Sequence, residues 1–453
     1  MIATSTLSIN AFTGVGSPAG PIADGERWAL RNKPPDVRPF LKPPAEADER
    51  DWRSDEVGWG VVLAPNPERT PAQLATAEDA PEPIVDLVRS RGDAPVFRYD
   101  PAHPGFLYDY RNDALLSMAS SPSGVGKGKL PRYLLIYGSP NEVPWRAQFA
   151  LNASRIVGRL HLTGPALENY VAALKNEWSA AASRPARTLV WSTDYGPDDI
   201  TALMREVVAA PLQRAFEGDD DIETARALIG ADATGANLAS SLARDNPAVV
   251  VTTSHGKTYP LEDPVAMGET IGLLIDQSKD AVEVDAVTAD WAPDGAIWYA
   301  HACCSAGCDS ATAFRGLVAE GSELERVLSG IPAAGARVAP LPTALLSHAK
   351  PARAFIGHVE PTFDWTLRDR QSSGSYEKPF VEAMYSNVFR KAPVGYGFRA
   401  LYARLGGVYA QYDEALLRYN TGADNADELL GHLLVARDIR STILLGDPTV
   451  GIS

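Results

Sequence analysis

Cysteine is scarce: the 453 residues carry three, all between Cys303 and Cys308. A secreted disulfide scaffold spreads its cysteines along the chain, so that class is excluded. Long apolar runs are missing as well, and no stretch reaches the length of a membrane span. The first residues, MIATSTLSINAFTGVGSPAG, lack a basic start and a continuous apolar segment. They do not read as a secretory signal, and the expected compartment is the cytoplasm. Basic excess is absent too. Lys and Arg number 42 against 57 Asp and Glu, a formal net charge of -15. Phosphate binding needs clustered cations, so nucleic acid is not an expected partner, and neither is a membrane.

What is present is ordinary for a globular protein: 45% hydrophobic and 22% charged residues. The length suits more than one compact unit. Residues 1–130 are Pro-rich, and the stretch Ala64–Pro83 reads as an extended, solvated connector. The expectation for 1–130 is an irregular N-terminal segment. From Pro131 the pattern changes. Tyr133–Tyr137 (YLLIY) reads as a buried strand, and Ala166–Trp178 as an amphipathic helix, in a first α/β subdomain over 131–186. Over 187–453, strands are expected at Thr188–Ser192, Ala248–Thr253, Gly295–Ala302, Ala352–Gly357 and Thr442–Leu445. Helices are expected between them, including Asp198–Phe216 and Gly235–Arg244, with Glu217–Glu223 a solvated loop. The alternation predicts an α/β fold, a mostly parallel sheet with helices on both faces.

In such sheets catalytic groups gather beyond the carboxyl ends of strands. Two of these ends carry reactive residues. One is Ser254-His255-Gly256, after AVVVTT; the other is Ala302-Cys303-Cys304-Ser305-Ala306-Gly307-Cys308, after GAIWYAHA. A free thiol has a pKa of roughly 8.5, so little is thiolate at neutral pH. An imidazole can take the thiol proton during attack and return it to a leaving amine. A glycine beside the histidine leaves its amide open to a developing oxyanion, so Gly256 and the Cys304 amide are the expected donors.

An apolar strand with Ser-His-Gly, followed about 50 residues on by an apolar strand with Ala-Cys-Cys-x-x-Gly, resembles the caspase-like (clan CD) cysteine peptidases. Tyr133–Trp145, Val157-Gly158-Arg159-Leu160 and the closing Leu445-Gly446-Asp447-Pro448 resemble gingipain-type and CHAT-domain peptidases in particular. The resemblance implies a caspase-haemoglobinase fold in two gingipain-like subdomains. It implies a cysteine endopeptidase working through a thioester on a protein or peptide substrate, without a cofactor. A regulatory protease of bacterial antiviral defence or cell death, with an activating partner, belongs to the same implication. Relatives place a glycine three residues after the nucleophile. Gly307 stands there for Cys304, so the resemblance makes Cys304 the nucleophile, with Cys303 the fallback packed into the sheet, and His255 the base. Metacaspases carry Asp two residues before the nucleophile, where this chain has Ala302, so a preference for basic side chains does not carry over. Asp309, Glu360 and Asp364 are the candidate substrate-pocket acids, and Asp194 is another edge carboxylate.

Rival readings remain open at this stage. His301, Cys303, Cys304 and Cys308 offer a metal set of poor spacing, and Cys304 with Cys308 a redox pair. A catalytically silent caspase-like binding scaffold is the other alternative. Ser123–Lys129 (SGVGKGK) fails the phosphate-loop spacing and reads as a flexible basic loop.

Overall fold

Asn246 shows how the local sequence sets an element boundary next to the future site. The helix Gly235–Asp245 begins on Thr234, whose side chain accepts the Asn237 amide, and buries Leu238, Ser241 and Leu242 on one face. Asn246 then turns left-handed at φ 45° and returns its amide to the Leu242 carbonyl. Pro247, which cannot continue a helix, opens the next strand.

The computed structural model describes residues 6–8, 19–21, 47–368 and 374–452. Two units are separate in their contacts, Met1–Glu46 and Ala47–Ser453. In the first, β1 (Thr6–Ser8) and β2 (Ala19–Pro21) pair antiparallel. The second holds β3 (Trp59–Leu63), β4 (Val96–Tyr99), β5 (Phe106–Asp109), β6 (Ala114–Ser117), β7 (Tyr133–Tyr137), β8 (Ile156–Leu160), β9 (Arg184–Ser192), β10 (Thr224–Ile229), β11 (Pro247–Thr253), β12 (Ile297–His301), β13 (Gly307–Cys308), β14 (Arg337–Val338), β15 (Ala354–His358) and β16 (Thr442–Gly446).

All but β13 and β14, which form their own antiparallel pair, join one 12-stranded sheet in the order β10-β9-β11-β12-β15-β16-β8-β7-β3-β4-β5-β6. Pairing is parallel except at β15–β16 and along the β4–β5–β6 edge. The mostly parallel α/β sheet agrees with the expected fold class. β11, β12, β15 and β16 are buried along their whole length, as strands covered on both faces must be. Among the described residues no helix is long and apolar enough to cross a membrane.

Residues 47–130 are not the irregular segment that their proline content predicts. WGVVL and VFRY form β3 and β4 inside the sheet, and Glu82–Ser90 is a helix burying Ile84, Val85, Leu87 and Val88. Prolines punctuate these short elements rather than dissolve them: Pro81 is the helix N-cap and Pro83 lies in the first turn. The earlier part of the expected segment, outside the two short strands, lies outside the described residues. β10 (TARALI) was not expected either. It is an edge strand of half-buried residues and carries no clear apolar run.

β16 joins the two halves of the sheet, antiparallel to β15 and parallel to β8. The closing Gly446-Asp447-Pro448 acts here as a structural latch. A Cβ on Gly158 would sit 2.0 Å from the Gly446 carbonyl, so β8 and β16 meet backbone to backbone. Asp447 is fully buried; it accepts the Trp59 indole N–H at 3.1 Å and pairs with Arg91 at 3.3 Å. Its amide donates to the Tyr170 hydroxyl at 2.8 Å, and that hydroxyl donates to the Arg353 carbonyl at 2.8 Å.

Candidate active site

β11 and β12 run parallel with Thr253 opposite His301. Two residues further along each chain stand His255 and Cys303, so the register carries them to the same rim. The approach is close. A Cβ on Gly256 would lie 1.9 Å from the Cys303 carbonyl oxygen and 3.0 Å from its nitrogen. Only glycine allows that contact, and the Ser254 amide, donating to the His301 carbonyl at 3.2 Å, fixes it from the other side.

His255 is half-buried and held by two groups of the loop that follows β9. Its Nε2 lies 3.0 Å and 3.1 Å from the two oxygens of Asp199, and its ring stacks on Tyr195 with centroids 5.6 Å apart. Asp199 is the N-cap of the helix Ile200–Met204, accepting the Thr201 amide at 2.9 Å and hydroxyl at 2.6 Å. Burial pushes the Asp199 carboxyl up, but the Thr201 donors and the His255 ring outweigh it and leave it below its ordinary value. An ionised carboxylate therefore faces one nitrogen of His255 and leaves Nδ1 for another partner. Tyr195 and Asp199 escaped the sequence reading. The signal present was an Asp placed just before an apolar helical pattern, which by itself indicates only a cap. Asp199→Asn keeps an oxygen for the cap and removes the charge. For a His255 that handles a proton in catalysis, the expected result is a fall in turnover of roughly 10²-fold with little change in Tm, checked by kinetics and thermal denaturation.

The two adjacent cysteines part company. Cys303 is partly exposed, and its Sγ receives the Thr362 amide at 3.4 Å. Burial pushes its thiol up to about 11. Cys304 adopts φ 55°, and its side chain is fully enclosed beside Met267, Ile271, Cys308, Ile331 and Ala334. Burial places its thiol well above the ordinary range. Its amide donates to the Glu360 carbonyl at 2.9 Å, and its carbonyl accepts the Gly307 amide at 3.0 Å. The expectation of Cys304 as an open nucleophile and as an oxyanion donor therefore meets a sealed sulfur and an occupied amide. The glycine spacing that favoured it has another cause. Gly307 has φ 153° and pairs with Val338 in the β13–β14 ribbon, where a Cβ would lie 2.2 Å from the Arg337 carbonyl. By contrast, the amides of Gly256 and Cys303 meet no protein oxygen among the described residues.

Of the three expected pocket acids, Asp364 lines a cavity at this rim. The cavity measures about 700 Å³ and includes Asp194, Asp198, Asp199, Glu206, Asp364 and Thr362 in its wall. It touches both halves of the site, because Asp199 reaches His255 and Thr362 reaches Cys303. Five carboxylates face two guanidiniums there, and those two, Arg205 and Arg368, pair with Asp194 at 2.9 Å and Asp364 at 2.5 Å. Asp309 instead accepts the neighbouring Ser310 amide at 2.7 Å. Glu360 is buried with φ 78°, accepts the Ala313 amide at 2.9 Å, and is pushed up to about 7 by burial.

Among the described residues no three His, Cys, Asp or Glu side chains converge as metal ligands. All three cysteines are free, and Cys308 directs its thiol to the Gly335 carbonyl at 3.2 Å. His301 lies inside the sheet with its Nδ1 2.8 Å from the Tyr299 hydroxyl, and is pushed down to about 3 by burial.

No family model and no curated protein matches this chain. Among solved structures it is similar to a chain of the Saccharomyces cerevisiae separase–securin complex, with 11% identity and a TM-score of 0.34 over 70% of this chain. The match spans 15% of that chain's length. A likeness this slight carries no argument about activity, which rests on the residues themselves.

Proposed function

We propose that the protein is a cysteine endopeptidase in which Cys303 attacks and His255 handles the proton. The observation that carries this reading is the Gly256–Cys303 contact, which packs the backbone beside His255 against that of Cys303, a partly exposed residue, at one sheet rim. The resting thiol, pushed up to about 11, is almost wholly protonated at neutral pH, so the proton must leave during attack. Sγ bonds to the scissile carbonyl carbon as the thiol proton passes to His255 Nδ1. The oxyanion takes hydrogen bonds from the Gly256 and Cys303 amides. Collapse breaks the C–N bond, the imidazolium gives its proton to the departing amine, and a thioester remains. Water, deprotonated by the same ring, then yields the acid and restores the thiol. Asp199 stabilises the imidazolium in both halves.

The excess of carboxylates in the adjoining cavity suits a substrate with a basic side chain. A panel of peptide chloromethyl ketones tests both points. Reagents ending in Arg or Lys are expected to alkylate Cys303, mapped by peptide mass spectrometry, at least about tenfold faster than those ending in Asp or Glu. Labelling confined to Cys304 or Cys308 sinks the reading.

One observation favours the catalytically silent binding scaffold: Cys303, Cys304 and Cys308 are all pushed above the ordinary thiol range by burial. That alternative predicts no labelling of any cysteine in the folded protein.

A further inference from the structure

Behind Cys303 sits a carboxyl group that the reaction just described does not use. Asp438 lies near the end of the helix Ala426–Ser441, and its side chain is fully buried. Oδ2 accepts the Phe363 amide at 2.8 Å. The amide one residue earlier, Thr362, is the one that donates to Cys303 Sγ at 3.4 Å, and the thiol faces the Thr362 carbonyl at 3.7 Å. Two consecutive amides of one segment are thus divided between the acid and the sulfur. The same corner holds two further buried oxygens, Asp438 Oδ1 and the Thr362 hydroxyl, which interact with each other without close hydrogen-bond geometry. Buried polar oxygens need well-made hydrogen bonds, and a proton on Oδ1 would let it donate as well as accept in this corner.

We infer that Asp438 is a positioning residue for Cys303, holding the Thr362–Phe363 backbone against the sulfur as a neutral acid. The inference rests on Cys303 as the nucleophile. Burial pushes the Asp438 carboxyl up to about 8, against the pull of the Phe363 amide and the Thr362 hydroxyl. The other charged groups that act on it are Asp364, which raises it further, and Arg404, which lowers it. Ionised Asp438 raises the pKa of Tyr299, in β12, and of Cys303, just beyond its end. A charged Asp438 would therefore oppose the thiolate, while a protonated one holds the segment without that penalty.

Iodoacetamide alkylation of Cys303, resolved by peptide mass spectrometry from pH 6 to pH 10, tests this without any peptide substrate. Asp438→Asn keeps an oxygen for the Phe363 amide and can never ionise. Its rate is expected to match wild type within about twofold below pH 7 and to exceed it by about threefold or more above pH 8, where wild-type Asp438 ionises. Asp438→Leu loses the anchor and is expected to change the rate by about tenfold across the range. Profiles of Asp438→Asn and wild type that superimpose at every pH overturn the inference, whether or not Asp438→Leu folds. The two readings fail separately. The expected alkylation profile without peptide cleavage would retain Asp438's role and remove the peptidase. Cleavage with superimposed profiles would do the reverse.

Discussion

Cys303→Ala is expected to lower kcat/KM by on the order of 10⁵-fold, while Cys304→Ala retains activity within about tenfold. The first change deletes the sulfur proposed to bond to substrate. No neighbouring thiol replaces it, because Cys304 and Cys308 face an apolar cluster with Met267 and Ile271. The second change deletes one buried sulfur from that cluster. Its cost is that of a small cavity, about 1–2 kcal/mol, seen as a lower Tm rather than as lost chemistry. Alanine at 304 inherits the same left-handed backbone, φ 55°, so the turn gains no new strain beyond what the cysteine already bears. Cleavage assays and thermal melts on both variants separate the effects. Activity lost in Cys304→Ala and kept in Cys303→Ala would reverse the assignment.

The elements that bring the site together were legible because their patterns are strong. AVVVTT lies within β11, and YLLIY is β7 to the residue. From those strands a shared rim for His255 and the cysteine segment follows by topology alone. Which cysteine faces that rim does not follow. It depends on the left-handed turn at Cys304, which cysteine does not advertise as glycine would, and on Gly307, whose spacing reflects the β13–β14 ribbon. Asp199, Thr362 and Asp438 were hidden for a different reason. Their roles arise from contacts with residues 56, 59 and 75 positions away in the chain, and no local pattern encodes such a pairing. Glu360 shows the reverse error. A carboxylate near the right strand end looked suited to a pocket, yet the side chain turns to the Ala313 amide and the backbone carbonyl accepts the Cys304 amide.

Gly256→Ala carries the second large expectation, and it tests the contact on which the catalytic geometry stands. The new methyl would be placed 1.9 Å from the Cys303 carbonyl oxygen, a distance no Cβ tolerates, and the opposing atoms are backbone rather than a flexible side chain. Either the Ser254–Gly256 turn or the Cys303 segment must therefore move. The turn is held by the Ser254 amide on His301 and by Ile275 donating to the His255 carbonyl, so a shift there also turns the imidazole. A displacement of about 1 Å between reacting groups costs roughly 10²-fold, and losing the geometry of the Gly256 amide as an oxyanion donor adds a comparable factor. The combined expectation is a fall in kcat/KM of about 10³-fold or more, with a Tm lowered by overpacking worth about 1–3 kcal/mol. Gly105→Ala is the control, since nothing lies within 4 Å of the Cβ it would add. Kinetics and melts on the pair decide the matter. A Gly256→Ala protein as active as the control would mean that His255 and Cys303 do not work at the distance this contact sets.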